Sequence, residues 1–254
     1  MLIDTHIHLD AAEFDADRPA VIASALAAGV ERFVIPAVTL ENCSRVRDLA
    51  ATLVGSAYAF GVHPLYVNQT HESELAGLRA FLAQGGAAAV GEIGLDGFVS
   101  DADPVRQEWF FVEQLKLACE FDLPVLLHVR RAQDRILKYL RRYRVRGGIA
   151  HAFNGSAQQA EAFMRLGFML GFGGAMTYPG SRRIRALAAG LPLEYIVLES
   201  DAPDIPPVWN ARGRNVPANV ARFAQILAEL RQIDLAHVAR QTSANAVQAL
   251  RLKT

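Results

Sequence analysis

Cysteine, lysine and excess charge are all scarce in this chain, and each scarcity removes a class of protein. Only Cys43 and Cys119 are present among 254 residues. Both fall in amphipathic stretches away from other candidate ligands, which excludes a disulfide scaffold and predicts buried free thiols in a reducing compartment. Basic and acidic residues balance at 26 each, so the broad positive surface of a protein that coats nucleic acid is missing. Any contact with a polyanion must be local. Lysine occurs three times, as Lys116, Lys138 and Lys253, all in stretches read as helical, and none at the end of a strand pattern. No apolar run approaches the ~18 residues that a membrane span needs. The N-terminus reaches Asp4 and His6 with no basic and apolar leader, so a soluble, cytoplasmic protein with no membrane contact is expected.

What the chain does have is a repeated strand-then-helix rhythm. Short apolar, β-branched runs occur at Leu2–His8, Arg32–Val38, Ala57–His63, Ala88–Ile93, Val125–Val129, Gly148–Ala152, Phe168–Gly173 and Tyr195–Ser200. Amphipathic stretches alternate with them, including Pro19–Ala28, Glu41–Leu53, Glu72–Ala83, Pro104–Phe121 and Ala157–Leu166. Gly29, Gly167 and Gly190 each stand between a helix and the next strand, as helix ends prefer. Eight such units of about 30 residues predict an α/β fold, a (β/α)8 TIM barrel, in preference to an open doubly wound sheet. Nothing divides the chain, so one domain over residues 1–254 is expected. The last stretch, Leu235–Leu250, reads as an extra C-terminal helix on the outside.

The residues out of character with apolar strands fall in one layer. His6 and His8 close the first strand pattern, His63 the third, Glu92 the fourth, His128 the fifth and His151 the sixth, and Asp201 follows the eighth. That is the face on which barrel enzymes assemble their sites. A carboxylate such as Glu92, set among apolar residues and glycines, is costly to bury unless it pairs or binds metal. Taken together, His6, His8, Glu92, His128, His151 and Asp201 form a ligand set. One catalytic zinc ordinarily takes three protein ligands. Six candidates suit two divalent ions bridged by Glu92, and imidazole-rich ligation favours Zn, Mn, Fe or Ni over Mg without deciding among them.

In order and spacing, the segments DTHIHL, GVHP, GEIGLD, PVLLHVR, HAFNG and LESDAPD resemble the signature segments of the TatD-related deoxyribonuclease family. The resemblance runs over almost the whole chain. It implies a metal-dependent hydrolase that cleaves DNA phosphodiester bonds, with His6, His8 and Asp201 on one metal, His128 and His151 on the other, and Glu92 on both. The motif that commonly reads GLDY appears here as Gly94–Leu95–Asp96–Gly97, a change at the rim that spares every proposed ligand. Related barrels that bridge their metals with a carboxylated lysine are no guide here, since no strand end carries one.

The expected mechanism is in-line attack by a metal-bound hydroxide, with Asp201 accepting the proton. Around the metals, His63, Arg130, Glu199, Arg212, Arg214 and Asn215 are candidates for substrate contact or for holding the ligands. Arg182, Arg183 and Arg185 stand on the loop after strand seven, where this fold often binds phosphate. Trp109 reads as core, whereas Trp209 is placed to stack on a base. DNA ends or single strands are the expected partners, with no obligate protein partner. Two other readings remain open: hydrolysis of a carboxyl ester, lactone or aminoacyl ester by the same metals, and a module that holds metal only to recognise a nucleic-acid end.

Overall fold

A computed structural model describes residues 1–100 and 103–253. Eight parallel strands follow one another around a single sheet: β1 (Leu2–Asp4), β2 (Val30–Pro36), β3 (Ala57–Phe60), β4 (Ala89–Asp96), β5 (Val125–Arg130), β6 (Gly148–Ala150), β7 (Phe168–Phe172) and β8 (Ile196–Leu198). Their order in space is their order in sequence, as expected when every strand returns through a helix. The seam between β8 and β1 is drawn together just beyond the strands. There the amide and hydroxyl of Thr5 both donate to the Leu198 carbonyl, at 3.1 and 3.0 Å, and the Asp201 amide donates to the His6 carbonyl at 2.9 Å. The result is a nearly closed TIM barrel.

Eight helices form the outer ring: α1 (Arg18–Ala27), α2 (Cys43–Ala51), α3 (Glu74–Ala83), α4 (Pro104–Glu120), α5 (Gln133–Arg142), α6 (Ala157–Arg165), α7 (Arg182–Gly190) and α8 (Asn219–Arg231). Their starts carry local signals. Asp103 caps α4 by accepting from the Val105 and Arg106 amides, with Pro104 at the first helical position. Ser156 and Gln159 form a reciprocal capping box on α6.

The ninth helix, α9 (Leu235–Leu250), has the predicted bounds but another place. Ile3, Val34, Ala59, Ala89, Leu126, Ile149, Met169 and Val197, one from each strand, fill the barrel interior, and Ala246, Leu250 and Leu252 pack with them. α9 therefore stops the N-terminal end of the barrel and is not an external addition. Asn245 ties it down by donating to the carbonyls of Leu193 and Ile196, each at 2.7 Å.

Other expectations need adjustment. Cys43 is buried, and burial pushes its thiol up to about 12, but Cys119 lies exposed on α4. Trp109 also faces outward from α4, 37% exposed, and is not core. Lys253 follows the end of α9 instead of lying within a helix. No helix of the described residues is long and apolar enough to cross a membrane.

Candidate metal centre

The strands deliver their polar residues to one end of the barrel, though not always from a strand terminus. β1 stops at Asp4, so His6 and His8 stand on the segment that follows. Cross-bonds hold that segment extended: the Ile7 amide donates to the Val34 carbonyl and the His8 amide to the Ala202 carbonyl. Glu92 was expected to end its strand, but β4 continues to Asp96. The pairing of β4 with β5 shifts register between Val90 and Ile93, at the point where Glu92 turns inward.

Five of the seven histidines surround this one buried carboxylate. Glu92 Oε2 lies 3.0 Å from His6 Nε2 and 3.5 Å from His8 Nε2. Glu92 Oε1 lies 2.9 Å from His128 Nδ1, 2.9 Å from His151 Nε2 and 3.3 Å from His63 Nε2. Asp201 Oδ1 closes the first group, 3.7 Å from the Nε2 atoms of both His6 and His8. The rings of His6 and His151 stack at 3.9 Å.

Burial and mutual contact shift the protonation of several groups in this cluster. Burial would raise the Glu92 carboxyl, but the imidazoles of His63, His151 and His6 hold it well below the carboxylate range. Burial pushes His6 down to about 3, helped by His151, and His63 down to about 4. For His151, burial acts in the same direction but is overcome by Glu92 and Asp201, which draw it upward. Asp201 is raised, chiefly by burial.

The donors fit divalent ions. Imidazole nitrogens converge around Glu92 Oε1, His128 Nδ1 standing 3.1 Å from His63 Nε2 and 3.5 Å from His151 Nε2. His6 Nδ1, His151 Nδ1 and Glu199 Oε2 are buried without a hydrogen-bond partner. In each of three trios the donor atoms lie within 4.8 Å of one another: His6–His8–Asp201, His6–Glu92–His151 and His63–Glu92–His128. Imidazole and carboxylate together are the usual donors for Zn, Mn, Fe or Ni.

The TatD related DNase family matches residues 3–251 of the chain. The chain belongs to that family. It is 42% identical over 233 residues to a relative described as the uncharacterized metal-dependent hydrolase YjjV of Escherichia coli K12, covering 91% of this chain and 90% of that one. It is 34% identical over 257 residues, 97% of each chain, to the 3'-5' ssDNA/RNA exonuclease TatD of Cronobacter sakazakii. The crystal structure of the Escherichia coli K12 TatD homolog YjjV superposes with a TM-score of 0.95 and 39% identity, covering 99% of this chain and 98% of that one. This chain is thus a metal-dependent hydrolase of the TatD family.

Within this TatD barrel several residues that hold the site escaped sequence reasoning. Asp96 is buried, and its Oδ2 takes His128 Nε2 at 2.9 Å. Burial opposes its charge, but His128 and the amides of Phe98 and Val99 bring the carboxyl down to about 2. Burial opposes protonation of His128, but Asp96 and Glu92, each 2.9 Å from one ring nitrogen, raise it. With Nδ1 deprotonated to bind a cation, Asp96 holds the remaining proton on Nε2, the tautomer a ligand at Nδ1 needs. The signal was available, since Asp96 ends an apolar run much as Glu92 interrupts one. Asp96→Asn should reverse that tautomer, because an amide presents a donor to Nε2. Turnover should then fall ~10–100-fold, the range for losing such a partner. Unchanged kcat and unchanged metal titration would count against this role.

His63 is set by its backbone. The Leu65 amide donates to His63 Nδ1 at 3.1 Å, so the neutral ring carries its proton on Nε2. In that tautomer the N–H points at Glu92 Oε1, 3.3 Å away, so His63 braces the carboxylate. Asp4, pushed up to about 7 by burial, accepts from the Ser200 amide at 2.8 Å and the Ser200 hydroxyl at 2.5 Å. It fastens the loop of Asp201 to the end of β1, two residues before His6. Glu199 accepts from the Ala152 amide and lies 3.8 Å from His151 Nδ1. A Cβ on Gly171 would lie 2.1 Å from Glu199 Oε2, so only glycine there leaves the carboxylate room.

The rim departs further from expectation. Asn215, a candidate for substrate contact, is wholly buried and donates to the carbonyls of Ser200 and Ile205, bracing the loop behind Asp201. Arg214 is engaged by Asp17 at 2.7 Å and covers the Phe14 ring. Trp209 carries the Arg222 guanidinium at 3.6 Å over its ring and donates to Asn219, so that face is already covered. Arg183 and Arg185 donate to Asn154 and to the Met176 carbonyl, while Arg212 is exposed. Phe98, after β4, is 50% exposed. Arg130 stacks on it at 3.9 Å and Arg131 at 4.5 Å, and Arg130 also approaches Asp96 at 3.8 Å.

Proposed function

We propose that this TatD-family hydrolase is a deoxyribonuclease that cleaves phosphodiester bonds at DNA ends or in single strands. The observation that carries this reading is the division of Glu92: one oxygen faces His6 and His8, the other His128 and His151. His6, His8 and Asp201 would hold one divalent cation and His128 and His151 the second, with Glu92 shared. Zn, Mn, Mg, Fe and Ni are all candidates. Bound there, the cations supply Lewis acidity and an activated water. Asp201, raised by burial, accepts the water's proton on the carboxylate oxygen turned away from His6 and His8. The His63 Nε2–H braces Glu92, and Glu199 orients His151. Arg130 and Arg131, held on Phe98, contact the phosphate backbone. Support for nucleic acid comes also from the Cronobacter sakazakii relative, described as an ssDNA/RNA exonuclease.

The deciding assay uses metal-free protein, end-labelled single-stranded and duplex DNA, and added Mg, Mn or Zn. Stepwise shortening of single strands is expected, with a shallower salt dependence than for a protein making ~6–10 phosphate contacts. Rapid cutting of closed circular duplex would overturn the preference for ends. Turnover of a lactone or aminoacyl ester with no cleavage of DNA would overturn the nuclease reading.

His128→Asn tests the division of ligands. His128 belongs to the trio that excludes His6, His8 and Asp201. Crystals of the variant soaked in Mn or Zn should show one anomalous peak reduced and the other retained. Equal loss of both peaks, or of neither, contradicts two separate positions.

A further inference from the structure

The N-terminal mouth of the barrel, opposite the Glu92 cluster, has a cavity of about 470 Å³. It lies where β2 to β5 begin, and the tail after α9 forms one wall. That volume is within the ~300–1,000 Å³ of small-molecule sites. The unusual feature is Arg32 on β2, which lines the cavity and is only 9% exposed. Its Nε donates to the Gly55 carbonyl at 2.5 Å and its Nη2 to the Lys253 carbonyl at 3.0 Å. Both acceptors are neutral, and no carboxylate pairs with this guanidinium among the described residues. A buried charge without a counter-charge is costly, and an anion is what would relieve it.

The rest of the lining has matching chemistry. Arg251 and Lys253, both exposed, add positive charge. The one acidic residue in the lining, Asp122, is already engaged by Arg146. A Cβ on Gly55, which has φ +72°, would meet Arg32 Nε at 2.9 Å, so glycine lets the guanidinium settle against this wall. Tyr58, Leu123, Pro124 and Leu252 make an apolar wall too large for a bare anion to need.

We propose that this cavity binds a small organic phosphate. Its phosphate lies against Arg32, Arg251 and Lys253, and its apolar or aromatic part against Tyr58 and Pro124. The site is independent of the metal centre and of the nuclease reading, because it opens at the other end of the barrel.

The test is calorimetric titration of the full-length, EDTA-treated protein with inorganic phosphate, adenosine monophosphate and adenosine. One equivalent of adenosine monophosphate should bind, more tightly than inorganic phosphate, and adenosine should not bind. The Arg251→Glu, Lys253→Glu double variant changes only exposed positions far from Glu92. It should weaken binding at least tenfold while keeping the wild-type metal titration. Arg32→Met should abolish binding if it folds, and the surface variant decides the question if it does not. Absence of binding by the wild type overturns the proposal, the Arg32 charge then being met within the chain itself. Equal binding by the double variant also overturns it, placing the phosphate elsewhere.

Discussion

Glu92→Ala should yield a folded barrel whose hydrolytic rate is indistinguishable from background. Five imidazoles face this carboxylate, and both proposed cation positions depend on it. Removing it takes a shared ligand from each position at once. The fold should survive, because the imidazoles left around the gap can give up their protons and leave no unpaired buried charge. A thermal scan separates this outcome from unfolding. Divalent metal should stabilise the wild type by ~2.7 kcal/mol at a hundredfold excess over Kd, and should leave the variant's Tm where it was. A variant that keeps two equivalents of metal and the wild-type rate would falsify the bridging assignment.

Gly94→Ala is expected to damage both the fold and the site severely. Gly94 has φ +152° and pairs with His128 across β4 and β5. A Cβ there would lie 2.0 Å from the His128 carbonyl oxygen and 2.9 Å from its carbonyl carbon. Both are backbone atoms in the middle of a strand pair, so nothing flexible can yield. The strands would have to part, and His128 would leave Glu92 with them. A destabilisation of more than ~4 kcal/mol is expected, of the kind produced by forbidden backbone geometry. In a chain of this size that corresponds to a fall in Tm on the order of 10 °C. Purified protein melting within a degree of the wild type would contradict the clash.

The barrel and the residues that converge on Glu92 were legible in the sequence because both depend on local pattern. Alternating strand and helix periods need no knowledge of long-range contacts, and each polar residue stands out against the apolar strand around it. His6, His8, Glu92, His128, His151 and Asp201 could therefore be named, and placed at one end of the fold, from spacing alone. The same logic failed where the neighbour that matters is distant in sequence. Asp96 looks like a strand-terminating turn residue until His128, 32 positions away, is found against its carboxylate. Asn215, Arg214 and Trp209 read as free loop residues until Ser200, Asp17 and Arg222 occupy them.

Residue type and period alone determined that this chain makes eight strand–helix units and sets imidazoles and carboxylates on one face. Tertiary structure alone decided which atom each of them presents. The Leu65 amide chooses the His63 proton, Asp96 chooses that of His128, and the register shift in β4 turns Glu92 between two groups of histidines. It also decided that α9, whose bounds were readable, would stop the barrel's N-terminal end, because one apolar face can be buried against any complementary surface. Periodicity specifies that a face is buried, whereas the partner, the tautomer and the direction of a lone pair depend on contacts that exist only once the chain has closed.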